Sequence, residues 1–127
     1  DEAVLGGRLY DLPYGYPALT VPPENVLAAG TADPAGDAEI QRRLGQEGAR
    51  PADGPRVSGE LFAFDDPEER LPALDRLEGF DPENGSSPYR RVLLAVETAG
   101  DGGVVLAWAY VVEVASGIHL PKGRWPS

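Results

Sequence analysis

The 127-residue chain contains no cysteine, no methionine and a single histidine. Without cysteine there are no disulfides, no thiolate metal sites and no cysteine nucleophile. One histidine, His119, offers no cluster for a metal and little room for a Ser-His arrangement, so neither a metal nor another cofactor is expected. No apolar run approaches the roughly 20 residues that span a bilayer, and no secretory leader pattern is visible. A cytoplasmic location is therefore the default expectation. Basic residues are scarce as well: Lys+Arg number 11 against 21 Asp+Glu, for a net charge of −10. Such a surface argues against nucleic-acid or anionic-membrane partners. The missing methionine also implies that Asp1 is not a translated start. The oligomeric state is left open by the sequence.

What remains is enough for one domain over residues 1–127 with a single core. Residues 4–10 (VLGGRLY) and 56–64 (RVSGELFAF) are apolar stretches interrupted by glycine, as at bulges or barrel corners. Residues 91–98 and 103–113 are the longest β-branched and aromatic runs, and AGDGG between them predicts a β-hairpin. Residues 22–55 hold five prolines and read as an insertion with a short surface helix around 35–47. Residues 114–127 form a short Pro/Gly-rich tail in which Trp125 is a candidate anchor and His119 is expected to be structural or solvated.

The main helix is predicted in FDDPEERLPALDRLEGF, with Asp66 as N-cap, Pro67 at the first helical position and Gly79 as the stop. Pro72 predicts a kink between a first turn at 67–70 and a main segment at 72–78. Helix residues rotate by about 100° each, so counting from Leu71 puts Leu74 at about 300° and Glu78 at about 340°. Glu78 is thus expected on the apolar side, where desolvation raises a carboxylate pKa and suits it to general base work. The plainer alternative is that Glu78 ends the helix at its solvent rim. Asp75 is expected on the flank, solvated or paired with a basic residue.

Five segments, GGRLYDLPYGYPAL (6–19), RVSGELFAF (56–64), LDRLEGF (74–80), YRRVLLAV (89–96) and VLAWAYV (105–111), stand in an order of their own. In that order they resemble the AIG2-like branch of the γ-glutamylcyclotransferase superfamily, with spacing altered around 22–55. The resemblance implies an α+β fold: a small, mostly antiparallel β-barrel with one main helix packed at its side. It implies an enzyme that turns a γ-glutamyl amine into 5-oxoproline and a free amine, with Glu78 of L-D-x-x-E-G as acid/base. It also implies substrate contacts from Tyr16, Tyr89, Arg91 and Tyr110. Arg91 is expected to pair with a protein carboxylate first and a substrate acid second. Tyr110 is equally placed to be a core tyrosine.

One departure stands out. Family members carry a Y-G-T-L-like strand and loop whose amides hold the substrate carboxylate, and this sequence has none. Either a leading segment lies upstream of Asp1 or part of the site is lost. The competing readings are a non-catalytic small-molecule binding or interaction module on the same scaffold, and an amide hydrolase using the same carboxylate.

Overall fold

The computed structural model describes residues 2–11, 17–48, 50, 54–98, 103–113 and 117–124. The strands are β1 (Glu2–Gly6), β2 (Arg8–Asp11), β3 (Pro17–Thr20), β4 (Ala28–Ala29), β5 (Arg56–Glu60), β6 (Arg90–Thr98), β7 (Val104–Val111) and β8 (Ile118–Leu120). Two helices, α1 (Pro34–Glu47) and α2 (Pro67–Glu78), complete the α+β fold. All pairings are antiparallel, and they form a five-stranded and a three-stranded sheet.

The predicted hairpin is the centre of the molecule. β6 and β7 pair from Arg90↔Val111 to Glu97↔Val104. The opposite edge of β6 is shared by β4 at Val92–Leu93 and by β1 at Glu97–Thr98. β6 is buried from Arg91 to Val96. Its alternation divides those residues between two layers. Val92, Leu94 and Val96 join Ala3 and Val111 in the main apolar cluster. Arg91, Leu93 and Ala95 point the other way, in register with Tyr110, Trp108 and Leu106. On that side α1 and α2 cover the sheet.

The first strand expected from sequence is split at Gly7: β1 belongs to the large sheet, and β2 to the small sheet with β3 and β8. Glycine here marks a corner, where the chain changes sheets. The sheets meet again where the Val112 N–H donates to the Leu19 carbonyl at 2.9 Å. Among the described residues the strands form these two joined sheets and not the closed barrel expected. The second predicted strand stops at Glu60 rather than residue 64. Part of the expected tail is β8, hydrogen-bonded to β2, with His119 exposed beside the Tyr10 ring at 5.4 Å. Trp125 lies outside the described residues. No helix among those described is long and apolar enough to cross a membrane.

α2 runs as one helix from Pro67 to Glu78 through Pro72, where a separate first turn at 67–70 and main segment at 72–78 were expected. The proline removes one donor, and its lost acceptor is the carbonyl of Glu68, an exposed residue whose backbone solvent can serve. Asp66 occupies the N-cap position without a side-chain cap bond, leaning instead toward Arg70 at 3.6 Å. Gly79 ends the helix in the left-handed conformation at φ 77°, as its freedom from a Cβ allows.

Candidate functional site

α2 carries the two acids of LDRLEG into opposite surroundings. Asp75 is 4% exposed, whereas Glu78 is exposed. This overturns the expected burial of Glu78 between Leu71 and Leu74. The buried line along α2 is Leu71 and Asp75, while Leu74 is only half-buried. In the last turn Glu78 is exposed, with Leu77 78% exposed beside it. The Glu78 side chain makes no hydrogen bond or ion pair among the described residues.

Asp75, expected to lie on the flank, is instead the hub of a buried cluster. Arg91 Nε and Nη2 donate to its two oxygens, Oδ1 at 2.8 Å and Oδ2 at 3.1 Å. Arg91 is 1% exposed, and its Nη2 also donates to Asp37 Oδ2 at 3.1 Å and to the Thr31 carbonyl at 3.1 Å. Asp37, wholly buried, accepts from the Thr31 hydroxyl at 2.7 Å and the Thr31 N–H at 2.9 Å. The guanidinium lies 4.8 Å from the Trp108 ring and 5.9 Å from that of Phe80. Burial alone would lower the Arg91 pKa, but bonds to and the charge of Asp75, then Asp37, outweigh it and hold it above its ordinary value. Structural pairing, the first of the two roles considered for Arg91, is the one observed.

Close packing explains Gly30. A Cβ there would stand 2.8 Å from Arg91 Cζ and 2.9 Å from its carbonyl oxygen. Arg91 Nη1, against the same glycine, is buried with no acceptor.

Tyr110 ties this cluster to the rim. Its hydroxyl donates to Asp75 Oδ1 at 2.6 Å. Burial, then the bond to and charge of Asp75, push its pKa well above the usual 10.0; Glu78 adds to the rise and Arg91 opposes it. Glu78 is thus an electrostatic neighbour of the Tyr110 hydroxyl. Of the other expected site residues, Tyr89 is half-buried just before β6 and makes no hydrogen bond to the cluster. Tyr16 lies outside the described residues.

Sequence reasoning missed Asp37, Trp108 and Gln41. The helix expected around 35–47 was read as a weakly amphipathic surface helix, yet α1 docks on the sheet through polar groups. Gln41 Nε2 donates to the Leu106 carbonyl at 2.8 Å, and Trp108 Nε1 donates to Gln41 Oε1 at 3.0 Å. The available signal was spacing: Asp37, Gln41 and Leu44 recur at helical intervals on one face. An Asp on such a face with an unassigned Arg elsewhere is a pairing hint.

A cavity of about 600 Å³ opens between α2, the 80–88 loop and the start of α1, with Asp75 and Arg91 among its walls. Glu78 and Tyr110 are not part of its lining. The α2 residues that line it, Leu71, Pro72, Asp75, Arg76 and Gly79, centre about 90° around the helix from Glu78. Its size does not make it the site of proton transfer, because its one buried carboxylate is already engaged by Arg91 and Tyr110. Among the described residues no group of three His, Asp or Glu could hold a metal ion.

A family model described as "Gamma-glutamyl cyclotransferase, AIG2-like" matches residues 40–127, which include α2, β6 and β7. No curated protein and no solved structure matches the chain significantly.

Proposed function

The chain belongs to the gamma-glutamyl cyclotransferase, AIG2-like family, and on that premise we propose that it cyclises a γ-glutamyl amine to 5-oxoproline with release of the free amine. The α-amine of the substrate attacks its own side-chain amide carbonyl. A new C–N bond closes the five-membered ring, and the old amide C–N bond breaks. The nucleophile is tethered, so much of the entropic cost of bringing reactants together is already met. The protein must take a proton from the ammonium and return one to the leaving amine, which a single carboxylate can do.

The observation that carries the assignment of that role to Glu78 is the division of labour on α2. Asp75 has its oxygens committed to Arg91 and Tyr110, and Glu78 is the acid of the pair that has no partner among the described residues and can exchange a proton. The test is 5-oxoproline release from a panel of γ-glutamyl amines by the full-length protein and by Glu78→Gln. General acid–base work contributes about 10²–10⁴ in rate, so a loss of that size is expected. Equal rates would remove Glu78 from the role.

A second reading, a non-catalytic binding module on the same scaffold, is favoured by one feature: Glu78 is exposed rather than enclosed. Saturable binding of γ-glutamyl amines with no 5-oxoproline from any of them would establish it instead.

A further inference from the structure

Resting on the cyclotransferase reading, we propose that Asp75 is a positioning residue: it accepts the hydrogen bond of the Tyr110 hydroxyl, leaving the phenolic oxygen as a hydrogen-bond acceptor that joins Glu78 in receiving the α-ammonium group of the substrate. A phenol has one proton to give. An ionised carboxylate can only accept, and the two-point contact with Arg91 marks Asp75 as ionised. The 2.6 Å bond between Tyr110 and Asp75 therefore has one polarity.

That polarity is locked from behind. Asp75 cannot turn away, because Arg91 holds both its oxygens and is itself held by Asp37, the Thr31 carbonyl and the Trp108 ring. Asp75 and Glu78 stand at i and i+3 on α2, so they are neighbours on its surface. Tyr110 is bonded to the first, and the charge of the second adds to the rise of its pKa.

Among the described residues nothing donates to the Tyr110 oxygen or to the Glu78 carboxylate, so both keep lone pairs to offer. Behind them two buried carboxylates face one guanidinium, a net charge of −1. A primary ammonium, with a positive charge and three N–H donors, is the complement. A developing oxyanion is the wrong partner, since Tyr110 has no proton left to offer it. The structure thus assigns Tyr110 to the amine end of the substrate and away from the carbonyl.

The test compares two ligands, a γ-glutamyl alkylamide and its deamino counterpart, glutaric acid monoalkylamide. Binding is titrated calorimetrically on full-length Glu78→Gln, with and without Tyr110→Phe. Loss of the hydroxyl should weaken the γ-glutamyl compound about tenfold, the size of one hydrogen bond to a charged group, and the deamino compound less than twofold. Asp75→Asn, whose amide can donate to Tyr110 and reverse the bond, should give the same amine-selective loss. Should that variant fail to fold, Tyr110→Phe decides alone. Equal weakening of both ligands, or of neither, overturns the inference. The cyclotransferase reading is judged separately, by 5-oxoproline release. Release with a non-selective Tyr110→Phe effect sinks only this inference; selective binding without release sinks only the reading.

Discussion

Two carboxylates three residues apart on α2 meet opposite fates, and the comparison separates scaffold from chemistry. Asp75 faces the sheet in the middle of the protein, where an unpaired charge would be costly, and it is matched by Arg91 with near-complete burial. Glu78 rides the last turn, is exposed, and solvent provides for its charge. Helix rotation led to the opposite expectation, Glu78 on the apolar side and Asp75 on the flank; the partners each one meets decide which is enclosed.

The comparison is broken most directly at Arg91. Arg91→Met should destabilise the protein by about 3–5 kcal/mol, because it leaves Asp37 and Asp75 buried without a counter-charge. Denaturant unfolding measures this, and a loss below about 1 kcal/mol would mean that the cluster is not the keystone described here. Asp37→Asn should cost less, about 1–3 kcal/mol: hydrogen bonds are disturbed, but one of two negative charges in a net-negative cluster is also removed. A larger loss than for Arg91→Met would contradict the charge count.

Gly30→Ala tests the same cluster sterically. Its Cβ would press on Arg91, and the expected cost is about 1–3 kcal/mol. An unchanged melting temperature would show that the backbone there yields freely.

Tyr110 supplies the pH dependence. Its hydroxyl pKa is raised on folding, so the folded state keeps a proton that the unfolded chain gives up above about 10. Its stabilising contribution is present below that pH and declines as pH rises further. Tyr110→Phe should flatten the fall in stability between about pH 10 and 11.5; an identical slope in both proteins argues against a tyrosine–Asp75 bond of this kind. The smallest effect belongs to the other end of the comparison. Glu78→Gln should change stability by no more than about 0.5 kcal/mol, as for an exposed side chain without partners. A substantial loss would reveal a structural role for Glu78.

Much of the framework was legible in the sequence because it is local. The hairpin of β6 and β7 follows from two β-branched runs around a glycine-rich turn, and α2 ends where Gly79 says it must. The first helix was visible between 35 and 47. Less legible were β4 and β8, two and three residues long, whose strand character comes from the partners they meet. The unbroken passage of α2 through Pro72 likewise depends on a carbonyl lying where solvent can reach it.

The candidate site divides in the same way. The motif LDRLEG, the Y-x-R element and the tyrosine of β7 mark the residues, and pairing of Arg91 with a protein carboxylate and of Asp75 with a basic residue were among the expectations. The second carboxylate was not. Asp37 is 54 residues away in an insertion with no strong pattern, and it reaches Arg91 because α1 docks on the sheet.

Sequence by itself determined the local elements and the absence of thiol chemistry, since these depend on backbone propensities, side-chain spacing and residue types present. Only the tertiary structure decided that Asp75 is enclosed, that Glu78 is open, and that Tyr110 donates its hydrogen bond inward. Those outcomes depend on which partners each side chain meets in three dimensions. Desolvation and charge pairing act through space, and one turn of helix is enough to reverse them.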